Sequence, residues 1–118
     1  MNDETKIKAT VQLYIDGAVT GSSEVMKQAF HQDATVFGYL HGELFAAPIQ
    51  GLFDWVDEIG SASTLTARIT KLSIVGTVAS VELDLKDWNG VHFTDIFTVL
   101  NVNDDWKIMN KVFHAHDG

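Results

Sequence analysis

The sequence predicts an α+β domain: three N-terminal helices packed in a strongly curved antiparallel sheet. Two observations set the class. Apolar residues recur at helical spacing only in the first half of the chain, and from Leu65 onward they alternate in strand fashion. The two patterns do not interleave, which argues against a parallel sheet built from βαβ units.

The first helix runs from about Asp3 to Val19, with Ile7, Val11, Tyr14, Ile15 and Ala18 on one face. Gly21 ends the turn that follows. A short second helix starts at Ser22 or Ser23, where Ser23 is a suitable cap, and turns Val25, Met26, Ala29 and Phe30 inward. Asp33 then leads into a strand, Ala34 to Gly42, whose Gly38 and Gly42 signal bends or the close approach of another group. Pro48 opens a third helix with Ile49, Leu52, Phe53, Val56 and Ile59 buried, and Gly60 stops it. Strands follow at about Leu65–Val75, Val78–Asp87, Val91–Val102 and Trp106–Phe113. Gly76-Thr77, Asn89-Gly90 and Asn103-Asp104-Asp105 join them.

A chain of 118 residues with 46% hydrophobic content suits a single domain, 1–118, with one core. The net charge of −8 opposes binding to nucleic acid or to an anionic membrane surface. The absence of cysteine excludes disulfides, thiol nucleophiles and thiolate metal sites. No signal-peptide pattern and no run long enough to span a bilayer are seen, so a cytoplasmic location is expected. No phosphate loop or serine nucleophile elbow is present, and no cofactor is indicated.

Asp95 interrupts an otherwise apolar strand, and burying a carboxylate is costly enough to need a reason. A plain Asn89-Gly90 turn would set Asp95 opposite Asp84. A bulge at Gly90 would instead put Phe93, Asp95, Phe97 and Val99 on one face with Ala79, Val81, Leu83 and Leu85. Apolar matching favours the bulge. If the last loop has an even number of residues, Trp106, Ile108, Asn110, Val112 and His114 join that face. An odd loop brings Lys107, Met109, Lys111 and Phe113 instead, and the even loop suits burial better.

Three stretches now carry a resemblance. VQLYIDGAVTGSSEVMKQAFHQDATVFGYLHGEL, the helix after Pro48 and FTDIFTVLNVNDDWKIMNKVFH together resemble the nuclear transport factor 2-like superfamily, in its lumazine-binding-like or SnoaL-like bacterial branch. The resemblance implies a cone with an internal pocket, and a dimer. Within the superfamily, ketosteroid isomerase carries a tyrosine and a protonated aspartate that donate to the substrate oxyanion; Tyr14 in VQLYI and Asp95 in TDIF match them. Its aspartate base corresponds here to Gly38, after DATVF, so steroid isomerisation at that enzyme's usual rate is not expected.

The catalytic candidates are therefore Tyr14 and Asp95, with His114 beside Asp95 as an acid–base partner. Phe53, Trp55, Phe93, Phe97, Asn110 and His41 are candidate ligand contacts, His41 at the pocket mouth. Each has a plainer reading. Tyr14 and Trp55 serve equally as core aromatics, Asp95 as a structural acceptor, and His114 as a solvent-facing strand end. His31 belongs at a helix end and His92 on the exposed face. His114-x-His116 sets two imidazoles on one side of a strand, but no further ligand set accompanies them, so no metal is expected. Three functions remain open: a pocket protein for a small apolar or amphipathic molecule, an isomerase, cyclase or dehydratase using Tyr14 and Asp95, and a non-catalytic dimeric module. The homodimer would form through the outer sheet face, where Ile96, Leu100, Val102, Met109 and Phe113 mix with Thr94, Thr98, Lys107 and Lys111.

Overall fold

The computed structural model describes residues 2–116. The elements are α1 (Asp3–Thr20), α2 (Ser23–Lys27), β1 (Phe30–Leu40), β2 (Glu43–Pro48), α3 (Gln50–Ile59), β3 (Thr66–Val75), β4 (Val78–Trp88), β5 (Val91–Val102) and β6 (Asp105–His116). The predicted class stands. One strand, β2, lies in a segment that the sequence pattern left unassigned. Its alternation is short, and its residues are mostly exposed at the sheet edge.

Asn2 caps α1 by accepting from the Thr5 amide at 2.9 Å, and Gly21 closes the helix at φ 69°, a conformation that suits glycine. Ser22, rather than Ser23, caps α2; the Ser23 hydroxyl instead donates to Asp57 on α3 at 2.7 Å. His31 lies in β1 rather than at a helix end, because the strand begins at Phe30.

The sheet order is β2-β1-β6-β5-β4-β3, and β1 pairs with β6 in parallel. The sheet is thus mixed rather than wholly antiparallel. A connection long enough to contain β2, α3 and three further strands lets β6 return alongside β1 in the same direction. Helices cover the inner face, where Ile7, Val11, Tyr14, Leu52 and Val56 meet Val36, Leu83, Leu85, Phe97, Trp106 and Ile108 in one core.

Two bulges set which residues face that core. In the β4–β5 hairpin Leu83 pairs with Asp95, and Leu85 with Phe93, but Trp88 pairs with Val91. The extra residue therefore lies at Lys86-Asp87, where Asp87 has φ 63°, and not at Gly90; Asn89-Gly90 remains a two-residue turn. The inward set is the one apolar matching selected, with Trp88 added. In the β5–β6 hairpin Val99 pairs with Ile108 but Thr98 pairs with Asn110, so Met109 is the extra residue. Before it Trp106 and Ile108 face inward. Beyond it the inward residues are Lys111, Phe113 and Ala115, and Asn110, Val112 and His114 turn outward. The even-loop expectation holds for half the strand and fails for the other half, because a bulge reverses the faces.

Candidate functional site

Tyr14 enters the cone from α1 and is fully buried, its ring edge-on to Phe30, Trp88 and Phe97. Asp95 is fully buried on β5. Lys111 comes from β6, opposite Phe97 and two positions along the ladder from Asp95, and is 4% exposed. These three meet in a chain of hydrogen bonds. The Lys111 Nζ donates to the Tyr14 hydroxyl at 2.8 Å, and that hydroxyl donates to Asp95 Oδ2 at 2.6 Å. The ammonium and carboxylate are 3.9 Å apart. Asp95 Oδ1 is buried with no partner.

Burial works against both charges. It raises the Asp95 carboxyl above its ordinary value, with the nearby Lys111 charge and the Tyr14 hydroxyl pulling the other way. It lowers the Lys111 ammonium, with Asp95 opposing, and it raises the Tyr14 phenol, which also sits beside the Asp95 charge. The aromatic faces of Tyr14, Trp88 and Phe113 lie 5.0, 5.2 and 5.3 Å from Nζ and soften the cost of a cation there. The same heavy atoms accept a second proton arrangement, in which the Asp95 carboxyl donates to the Tyr14 oxygen and the Tyr14 hydroxyl donates to a neutral Lys111 amine. Two short proton shifts interconvert the ionic and neutral forms.

A cleft opens against Lys111. Val36, Leu40, Phe45, Leu52, Trp55, Trp88, Phe93, Lys111 and Phe113 line it, and its free volume is about 20 Å³. That holds roughly one water. The partly exposed Leu40, Phe45, Trp55 and Phe113 form the rim. Lys111 is the charged residue of the lining, with its Nζ beside the Trp88 and Phe113 rings, while Tyr14 and Asp95 lie outside the lining.

Of the residues singled out from sequence, Tyr14 and Asp95 come together, and Trp55 and Phe93 line the cleft. Phe97 is core, packed on Tyr14, and Phe53 lies on the far side of α3 against Phe30. Three candidates are elsewhere. His114 is exposed on the outer face, where it pairs with Thr94 and not with Asp95. Asn110 also faces outward, and its amide donates to Thr35 at 2.9 Å. Both were displaced by the bulge at Met109. His41 is exposed at the tip of the β1–β2 hairpin with φ 50°, outside the cleft lining. Gly38 lies beneath Phe113, whose ring leaves no space for a Cβ. Lys111 was not singled out. The signal was present nevertheless: a carboxylate buried in an apolar face calls for a cation, and Lys111 is the cation on the adjoining strand.

Among the described residues, one group of side chains gathers enough metal-ligand atoms in one place: Asp84, His92 and His116, on the outer face. His92 Nε2 already pairs with Asp84 at 2.7 Å, and His116 Nε2 with Thr94 at 2.8 Å. The two imidazoles stack at 4.1 Å and 21°, so their in-plane lone pairs do not converge on a common point. Through that hydrogen bond His92 lowers the Asp84 carboxyl below its ordinary value.

Comparisons with known proteins agree with this architecture. A family model described as "Putative lumazine-binding" matches residues 2–114. An NTF2-like protein of unknown function from Methylobacillus flagellatus is 41% identical with a TM-score of 0.94, covering 97% of this chain and 92% of that one. Another from Shewanella baltica is 35% identical with a TM-score of 0.91, over 97% and 94%. A curated relative, aldolase FrzH from a Cladobotryum species, is 28% identical over 92% of this chain and 87% of its own. A ketosteroid isomerase-like protein from Erwinia carotovora, at 11% identity over 98% of each chain and a TM-score of 0.73, shares the fold.

Proposed function

The chain belongs to the lumazine-binding-like family of nuclear transport factor 2-like proteins, and from that premise we propose that it binds a small carbonyl compound in the Lys111 cleft and moves protons on it. The observation that carries this reading is the buried Lys111–Tyr14–Asp95 chain ending at an aromatic cleft. A neutral amine at the cleft is a base for a proton next to a carbonyl. Tyr14 and Asp95 behind it are a relay that restores or removes the amine's proton. The curated relative's name adds support, because forming an aldol bond begins with loss of such a proton. Tyr14 and Asp95 then act through Lys111 rather than as direct oxyanion donors. A free volume of about 20 Å³ favours a small carbonyl head with its tail over the rim. It disfavours a steroid, which needs a pocket of a few hundred Å³.

Titration of the purified protein with short ketones, aldehydes and β-diketones, read by tryptophan emission, tests the reading. Trp55 and Trp88 both touch the cleft. A saturable change is expected, lost in Lys111→Met and reduced several-fold in Asp95→Asn. A response that Lys111→Met leaves intact would place the ligand elsewhere and end the proposal.

The outer sheet face supports a second proposal, a homodimer. Ile96 and Val112 are cross-strand partners and are 50% and 45% exposed, and Leu100 and Met109 line a separate shallow groove with Val75 and Val78. Phe113 and Lys111 do not belong to this surface, since both face inward. Two such faces related by a two-fold axis would cover the patch.

A further inference from the structure

We propose that Lys111 is a covalent nucleophile that forms an imine with small aldehydes and ketones entering the aromatic cleft. This deepens the carbonyl reading and rests on it. Three features of the site lead here.

The first is position. Lys111 is the buried lysine of the described residues; it lines the cleft, and its Nζ lies against the rings of Trp88 and Phe113, which line it too. A lysine on the surface samples many rotamers and meets a carbonyl by chance. This one is fixed between the rings of Tyr14, Trp88 and Phe113.

The second is hydrogen-bond capacity. An ammonium carries three N–H donors, and the structure gives this nitrogen one partner within hydrogen-bond distance, the Tyr14 oxygen. A neutral amine leaves fewer donors stranded, and its lone pair, which accepts from the Tyr14 hydroxyl at rest, attacks a carbonyl once that bond is released. Burial pulls in the same direction.

The third is that the relay supplies what the reaction consumes. The Lys111 lone pair forms a C–N bond to the carbonyl carbon, and the π pair moves to the oxygen. One proton passes from nitrogen to that oxygen, giving a carbinolamine. The Asp95 proton, relayed through Tyr14 to the Lys111 nitrogen and from it to the hydroxyl, then leaves as water while the nitrogen lone pair closes the C=N bond. Amine, carboxylic acid and carbonyl become iminium, carboxylate and water, with atoms and charge balanced. The product pairs a cationic nitrogen with the Asp95 carboxylate, the same charge arrangement the site holds in its ionic form. The unpartnered Asp95 Oδ1 leaves a full carboxylate poorly satisfied, which favours the neutral carboxyl with its proton on Oδ2, toward Tyr14.

The test uses the full chain at neutral pH with butanal and cyanoborohydride, read by intact mass and peptide mapping. Acetylacetone serves as a second probe, since its enaminone with an amine absorbs in the near ultraviolet. Tryptophan emission reports non-covalent binding of both. One adduct per chain is expected, on Lys111, formed several-fold faster than on any surface lysine, because burial favours its neutral amine. Lys111→Met and Lys111→Arg should both abolish it, and Tyr14→Phe should slow it without moving it. Peptide mapping of the unaltered protein makes the result independent of whether a variant folds. Binding by emission without an adduct on Lys111 would overturn the imine and leave the carbonyl site standing. Neither emission change nor adduct would overturn both. Labelling spread over surface lysines with Lys111 untouched would also overturn the imine.

Discussion

Lys111 and Asp95 are each expensive to bury, and each offsets part of the other's cost. That coupling sets a pH dependence whose sign can be worked out. Burial lowers Lys111 from 10.5, so between its folded value and the ordinary lysine range the unfolded chain holds a proton that the folded chain has released. Stability therefore rises with pH across that window and is complete above the ordinary value. Asp95, raised from 3.8, acts in the opposite sense on the acidic side: stability falls as pH rises from 3.8 through its folded value. Urea melts of the unaltered protein and of Lys111→Met should diverge in favour of the unaltered protein from neutral to alkaline pH. A pH-independent difference would show that Lys111 titrates as an ordinary lysine. Gly38 gives a second expectation. A Cβ there would come within 2.5 Å of the Phe113 ring, so Gly38→Ala should destabilise by about 1–3 kcal/mol in denaturant melts and disturb the cleft that Phe113 lines. The glycine's tight surroundings were readable from its place within a strand pattern, but the ring that presses on it was not, because Phe113 owes its inward face to the bulge at Met109 on the same strand, a single extra residue that no local pattern encodes.

At the level of elements, the bulges decide what the site contains. Asp87 holds the first of them: its Oδ1 accepts from the Gly90 amide at 3.1 Å, and its Oδ2 accepts from the Thr64 hydroxyl at 2.7 Å. Asp87→Ala removes both bonds and leaves a residue with a Cβ at φ 63°, so it should cost about 1–2 kcal/mol. Asp87→Gly removes the same bonds but relieves the backbone and should cost less. Equal losses in thermal melts would mean that the backbone conformation is not held under strain. Helix and strand periods were plain in the sequence because each repeats over many residues: Ile7, Val11 and Tyr14 for α1, Phe93, Asp95 and Phe97 for β5. The bulges at Asp87 and Met109 are single extra residues, and no period marks them. The inward position of Asp95 was legible because its apolar neighbours outvote any other register. The inward position of Lys111 was not, since burial alone argues for Asn110 and Val112 instead.

For the whole molecule, the outer sheet face is the open surface. Ile96→Lys sets a charge in the middle of the proposed interface, opposite Val112, and should shift the protein toward monomer on light scattering and lower its melting temperature at low concentration. A unaltered protein that is monomeric at micromolar concentration would rule the arrangement out. The parallel pairing of β1 with β6 carries a further consequence, for how the chain reaches this state. The strand made after the other five occupies the middle of the sheet, between β1 and β5. Until it arrives the sheet exists as two halves, β2-β1 and β5-β4-β3, each with an open edge and an uncovered apolar face. Pairing β6 with β1 closes a loop of roughly two thirds of the chain, so folding should be slow for a domain of this size, on the order of milliseconds to seconds. Nascent chains lacking β6 would be prone to join edge to edge, and they would lack Lys111 altogether. The reactive amine thus enters only with the last strand, so that no partly made chain presents it.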